Sequence, residues 1–394
     1  MRKLARLLKY LKAVCLIGLF ALPAAAARSF IPRYKDIWLV SERGNEARDN
    51  GYHFFKYLRK FHPEIHSVFV ITRSSPDYDK VSSLGETVEF GSLKHYFLYS
   101  CAEKLISTHM QPASPDLVLF GNLARHGIMV HGSQVFLQHG IIKDNLNWLH
   151  YPNSRTDLFV CGAKKEYDYV KSVFHHPEGV VQYLGLCRYD RLAAAEKPKR
   201  QVLVMPTWRG SRYPSGNAFP ETQFYRYFQS FLMSKELADF LEAEDLKLIF
   251  YPHIELQREL HHFHTDSRRI VLADAARYDV QELLMKSAVL VTDYSSVFFD
   301  MAYMGKPVLY YQFDEEEFRA VHHAEGYFDY ERDGFGPVLK EQGQLLEALK
   351  AAAMNGFIPE ARYQRRISDF FSLRDTSNCR RTFEAVKALP EGHR

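Results

Sequence analysis

The chain has 394 residues, 46% hydrophobic and 14% aromatic, with 51 Lys and Arg against 47 Asp and Glu. At about 100–200 residues per domain, this length holds two domains plus an appendage, and the apolar content excludes global disorder. A net charge of +4, much of it on Arg2, Lys3, Arg6, Lys9 and Lys12, leaves no basic stripe for nucleic acid on the folded part. Five scattered cysteines with no CxxC spacing argue against a zinc site or a disulfide framework and fit a reducing compartment.

Residues 1–28 form the appendage. A basic amphipathic stretch precedes the apolar run AVCLIGLFALPAAAA. That run is shorter than the ~20 apolar residues a membrane span requires. Two readings fit the segment alone. One is a cleaved secretory signal; the other is a helix lying in the membrane interface, basic residues on anionic headgroups, which Pro23 would end or bend.

From residue 36 onward, short apolar runs alternate with helical stretches. Strands are predicted at IWLVSE (37–42), SVFVIT (67–72), KLISTH, QVFLQHG and DLFVCG (157–162), with helices over 49–63 and 164–173 between them. The charged stretch RYDRLAAAEKPKRQ (188–201) breaks the pattern and reads as a linker. A second series follows: VLVMPTWRGS, a helix around 222–244, LKLIFYPH, RIVLAD, a short helix near 280–286, VLVTDYSS, a helix, and PVLYYQFD. The expectation is an α/β protein of two doubly wound, Rossmann-like domains, 29–192 and 200–394, facing a central cleft and linked by a hinge.

Polar residues cluster where the strands end, which is where ligands bind such sheets. In VLVTDYSS, Asp293 is followed by Ser295 and Ser296, either of which would cap the helix running to Met304. Free N–H groups and two hydroxyls there would make a phosphate cradle; the alternative is an ordinary N-cap. Thr207 and Arg209 follow another strand, and an arginine fork suits phosphate, the alternative being a surface salt bridge. His139, before Gly140, and His253 also end strands. Either could be a general base or a hydrogen-bonded structural histidine. The chain has no GxGxxG after its first strand, no GxxxxGK[ST] and no GxSxG, which disfavours a dinucleotide-dependent dehydrogenase, a P-loop NTPase and an α/β-hydrolase.

In their order and spacing, WLVSERGNEARDNGYHFFKYLR, LQHG, MPTWRG, YPH, VTDYSSVFFDMAYMGKPVLYY and GYFDYERDGFGPV resemble the CDP-glycerol glycerophosphotransferase family, which holds the teichoic-acid primases and polymerases. The resemblance covers residues 36–381. It implies a GT-B fold and transfer of glycerol phosphate, or a related polyol phosphate, from CDP-glycerol or CDP-ribitol to a hydroxyl of a polyprenyl-diphosphate-linked saccharide or growing polymer, with release of CMP. By this likeness His139 is the general base and His253 lies at the donor pyrophosphate. Thr207, Arg209, Asp293, Ser295 and Ser296 line the donor site, and Glu42, Arg43 and Asp49 face the acceptor. No DxD-like pair is placed to hold a metal at these strand ends, so neither a metal nor a cofactor is expected. Because CDP-activated donors are cytoplasmic, the same likeness turns residues 1–28 into an uncleaved anchor on the anionic inner leaflet. The alternatives are a GT-B enzyme using a nucleotide sugar and an exported two-lobed binding protein.

Overall fold

The computed structural model describes residues 2–110, 113–116, 119–120, 131–195, 197–210, 213–321 and 325–390. The chain divides into two compact units. The first comprises Met1–Ile141, Leu146–Asp190 and Asp375–Arg394; the second comprises Ile142–Asn145 and Arg191–Arg374.

The first unit is built on a seven-stranded parallel sheet. Its strands are β1 (Trp38–Ser41), β2 (Ser67–Val70), β3 (Thr87–Val88), β4 (Lys104–Ser107), β5 (Ser133–Phe136), β6 (Leu158–Cys161) and β7 (Val181–Tyr183). They lie in the order β3-β2-β1-β4-β5-β6-β7. Continuous apolar strands of this kind are buried on both faces. Trp38, Val40 and Phe69 pack with Phe54, Phe55 and Leu58 of the helix Asn50–Phe61. Leu39, Val68 and Val70 pack on the other side with Leu98 and Tyr99 of the helix Leu93–Cys101.

Two boundaries differ from those read in the sequence. Residues 1–28 are not a detached appendage. The helix Arg2–Phe30 runs through Pro23 and packs along Leu93–Cys101, burying Ala24 and Ala27, with Leu16, Ile17 and Phe20 against the same core. Its exposed side carries Leu11, Val14, Leu19 and Leu22. At the other end, Asp375–Arg394 belongs to the first unit, although the sequence assigns it to the second domain. The helix Asn378–Ala388 places Cys379, Phe383 and Val386 in the core beside Trp38. Asp190 accepts hydrogen bonds from the backbone N–H groups of Asn378 and Cys379, and buried Lys104 donates to the carbonyls of Leu389 and Pro390. A short run of apolar positions in the sequence cannot show which of two sheets it covers.

His95 lies fully buried in the helix Leu93–Cys101. Its Nδ1 accepts from the Gly91 N–H at 3.0 Å and its Nε2 donates to the Ala113 carbonyl at 2.7 Å, which requires a neutral ring. Burial pushes this imidazole down to about 4 from 6.5. With the folded value below the unfolded one, the unfolded chain takes up the proton first. Stability present above about pH 6.5 is therefore lost as the pH falls through about 4. The expected loss from this group is on the order of 3 kcal/mol. It is read from urea midpoints at about pH 7 and about pH 4, and His95→Gln should flatten the difference.

The second unit repeats the design. Its strands are β8 (Gln201–Met205), β9 (Lys247–Phe250), β10 (Ile270–Leu272), β11 (Val289–Thr292), β12 (Val308–Tyr311) and β13 (Val338–Leu339), all parallel, in the order β10-β9-β8-β11-β12-β13. Reversal of strand order beside β8 places its end and that of β11 at the switch point where such sheets bind ligands. The helix expected over 222–244 is two helices, Gln223–Leu232 and Lys235–Ala243. Ser234 accepts from the Leu237 N–H and starts the second. Ile142–Asn145 joins this unit because Gly326 packs directly on it: a Cβ at Gly326 would stand 2.2 Å from the Lys143 carbonyl oxygen.

Candidate functional site

In the first unit, β1 ends at Ser41 and Glu42 turns back into the fold. The buried carboxylate of Glu42 accepts from the backbone N–H groups of Arg48 (2.8 Å), Asp49 (2.9 Å) and Tyr52 (2.8 Å). These are the free donors at the start of the helix Asn50–Phe61, where a dinucleotide fold would receive phosphate. The protein's own carboxylate fills that position. Gly51 allows the approach, since a Cβ there would stand 2.8 Å from the Ser41 carbonyl oxygen and 2.9 Å from Glu42 Cγ. Burial, and next the Asp49 carboxylate, push the Glu42 carboxyl up to about 8, while the three N–H donors work the other way.

Asp49 caps the helix through the Asn50 N–H and turns its carboxylate to two further partners. Oδ2 lies 2.6 Å from His139 Nδ1, and Oδ1 accepts from Arg188 Nη1 at 2.7 Å. Burial works against the charge, yet Arg188 and then His139 hold the Asp49 carboxyl well below the usual carboxylate range. An ionised carboxylate can only accept, so His139 Nδ1 is the donor and its Nε2 keeps a lone pair when the ring is neutral. The His139 side chain is 62% exposed.

The turn that presents His139 is held firmly. Gln138 sits at φ +64°, a left-handed conformation uncommon for a residue with a side chain. Its side-chain amide donates to buried Glu166 and its carbonyl accepts from the Asn50 side chain at 2.8 Å. His109 lies beside His139, ring centroids 5.5 Å apart. Arg43 Nε donates to His109 Nε2 at 3.1 Å, and burial, then the neighbouring His139 and Arg43, push His109 down to about 4. Glu42, Arg43, Asp49 and His139 thus share one end of the sheet. Sequence reasoning missed Arg188 and His109. Arg188 lies inside the predicted linker, and His109 closes the predicted strand KLISTH, two residues beyond the end of β4.

In the second unit, Asp293 follows β11 and is fully buried. It accepts from the Thr207 N–H (2.9 Å), from the Thr207 hydroxyl and from the Tyr294 N–H (2.7 Å), and it pairs with Arg209 at 2.7 Å. Arg209 is only 1% exposed. Its Nε and Nη2 form a fork on Asp314 at 2.7 and 3.0 Å, and Nη1 donates to the Thr207 carbonyl. Burial opposes the charge of Arg209, and the two carboxylates more than offset that. The guanidinium also lies 5.2 Å from the ring centroid of Tyr294, whose hydroxyl donates to Asp314. Neither a phosphate clamp nor a surface salt bridge describes Arg209. It is an internal strut tying the loop after β8 to those after β11 and β12.

The strut leaves Thr207, Ser295 and Ser296 at the surface of their loops, half-buried or exposed. Neither serine caps the helix as expected. Ser296 and Val297 form a turn before the helix, and Phe298–Tyr303 starts from Val297 with no side-chain cap. Ser295 Oγ instead accepts weakly from the Val297 N–H, at 3.4 Å. His253 follows β9 and its ring is stacked with Trp208, centroids 6.3 Å apart. Its Nδ1 accepts from the Glu255 N–H at 3.2 Å, so the neutral ring carries its proton on Nε2. The two histidines therefore hold opposite tautomers: His139 offers a lone pair from Nε2, His253 an N–H. Among the described residues, no group of three His, Cys, Asp or Glu side chains is arranged to hold a metal ion.

A model of the CDP-glycerol:poly(glycerophosphate) glycerophosphotransferase family matches residues 24–388. The chain belongs to this family. It is 30% identical over 375 residues to the minor teichoic acid biosynthesis protein GgaB of Bacillus subtilis strain 168, covering 90% of this chain and 40% of that protein. It is 26% identical over 179 residues to a teichoic acid ribitol-phosphate primase of Bacillus spizizenii, covering 45% of this chain and 41% of that protein. The chain thus spans well under half the length of these relatives. Its fold is that of the wall teichoic acid polymerase TagF from a CDPG soak, with a TM-score of 0.69 and 17% identity over 98% of this chain and 97% of that one.

Proposed function

We propose that the chain transfers a polyol phosphate from a CDP-activated donor to a hydroxyl acceptor. The observation that carries this reading is the Asp49–His139 pair in a chain of this family: an ionised carboxylate on Nδ1 leaves Nε2 as the basic atom. In the reaction, the acceptor oxygen attacks the donor's distal phosphorus while His139 Nε2 takes its proton. The new O–P bond forms as the bond from phosphorus to the bridging oxygen breaks, and CMP leaves. Such transfer needs positioning and charge neutralisation more than covalent chemistry. The Nε2–H of His253 and the hydroxyls of Thr207, Ser295 and Ser296 supply donors for the phosphate oxygens.

The family description and the CDPG-soaked relative support CDP-glycerol as donor, and the ribitol-phosphate primase keeps CDP-ribitol in the same chemistry. The acceptor is a hydroxyl on a polyprenyl-linked saccharide or polymer at the cytoplasmic face of the membrane. No helix among the described residues is long and apolar enough to cross a bilayer. The exposed stripe Leu11, Val14, Leu19 and Leu22, behind a basic sequence, suits the interface of an anionic leaflet.

The test is CMP release by the full chain on phosphatidylglycerol vesicles, with CDP-glycerol, CDP-ribitol and UDP-sugars as donors and a synthetic lipid-linked saccharide as acceptor. Acceptor-dependent release from a CDP-polyol is expected, falling when Leu11, Leu19 and Leu22 become serine. Release from a UDP-sugar alone would overturn the assigned chemistry.

A further inference from the structure

We propose that Arg188 is a positioning residue for the general base, holding Asp49 and the His139 loop in one arrangement from the last segment of the first unit before the chain crosses to the second. The inference rests on the reading of His139 as base and adds a residue to it. Arg188 is buried. Its Nη1 donates to Asp49 Oδ1 at 2.7 Å and to the His139 carbonyl at 2.8 Å, so one nitrogen bridges both members of the pair. Its backbone N–H donates to Asn50 Oδ1 at 3.0 Å, and the Asn50 amide donates in turn to the Gln138 carbonyl. Side chain and backbone of a single residue thereby secure the helix cap, the strained turn at Gln138 and the imidazole.

The division of the Asp49 carboxylate gives this arrangement chemical content. Oδ1 is taken by Arg188, which leaves Oδ2 for His139 Nδ1 and fixes which ring nitrogen faces outward. The guanidinium also pairs with the carboxylate that holds the imidazole and keeps it ionised. A cation near a base favours its neutral, proton-accepting form. The charged and titratable groups around His139 are Asp49 from the helix cap, Glu42 and Arg43 from the loop after β1, His109 after β4 and Arg188 after β7. Of these, the hydrogen bonds join only Arg188 to both His139 and Asp49 at once.

The segment carrying Arg188 is itself anchored. Asp190 accepts from Asn378 and Cys379, and Cys379 Sγ lies 3.4 Å from the Cys187 carbonyl oxygen. The returning helix Asn378–Ala388 thus fixes the backbone on both sides of Arg188.

Arg188→Gln and Arg188→Lys in the full chain test this. The first removes the charge; the second keeps it but lacks the fork. The primary readout needs no acceptor: the rate at which diethyl pyrocarbonate modifies His139, followed by peptide mass spectrometry across pH. In Arg188→Gln the midpoint of this rate should move about one pH unit to the alkaline side, as expected when a nearby cation is removed. In Arg188→Lys it should stay in place. In the CMP-release assay both variants should lose about 10- to 100-fold in kcat, part of the general-base contribution, with KM for CDP-glycerol nearly unchanged. An unmoved or acid-shifted midpoint in Arg188→Gln, or wild-type kcat in Arg188→Lys, overturns the proposal. A purely structural role would lower the melting temperature and leave the midpoint and the kcat of surviving protein alone. If Arg188→Gln does not fold, Arg188→Lys still decides through kcat. Should His139→Ala prove active, the assignment of the base fails, while the modification midpoint continues to test Arg188.

Discussion

His139→Ala is expected to lower CMP release by about 10²- to 10⁴-fold, the usual range for a general base. Binding of CDP-glycerol, measured by calorimetry without acceptor, should stay nearly intact. The division follows from the structure. His139 is an exposed ring in the first unit, hydrogen-bonded to Asp49 through Nδ1 and flanked by the His109 ring, so its truncation should leave the fold undisturbed. Thr207, His253, Ser295 and Ser296, the residues proposed to hold the donor, belong to the second unit. Ser296→Ala should show the converse, weaker donor binding with a smaller loss of turnover at saturation. Equal loss of donor affinity in both variants would contradict these roles.

Arg209→Leu is expected to produce the largest stability defect in the second unit, about 3–5 kcal/mol, because it strands two buried carboxylates at once. Asp293 and Asp314 would each keep a charge with no cation beside it. Urea unfolding monitored by fluorescence checks this. The sequence alone pointed elsewhere, to an arginine whose loss weakens donor binding while the protein stays folded. A stable Arg209→Leu variant with weak donor affinity would restore that view and refute the strut.

Arg209 also shows why one part of the site was legible and another was not. Strand ends were readable because a parallel sheet buries both faces, which writes each strand as a short apolar run with a sudden polar stop. That rule located the loops of His139, Thr207, His253 and Ser295 without any coordinates. Partners were not readable, since Asp314 stands far along the chain from Arg209, as Asp49 does from His139. An arginine between Trp208 and Gly210 looks exposed until its two carboxylates are known. The resemblance places Asp49 on the acceptor side, but its task of orienting the imidazole depends on a loop that only the fold brings near. Ser295 and Ser296 were found and their local geometry was not: the helix starts from Val297, just beyond the serines, and hydrophobic periodicity does not resolve a shift of that size.

The helix Asn378–Ala388 has a consequence for how the protein is made. Phe383 and Val386 complete the core around Trp38, Phe54 and Leu58, yet the whole second unit is synthesised between that core and its cover. On the ribosome, the sheet that carries His139 must wait with an apolar face uncovered, a state prone to misassembly in multidomain chains. Its last segment, holding Arg188 through Asp190, is secured only when Asn378 and Cys379 emerge. The order of synthesis therefore delays the finished setting of His139 until the second unit has been made.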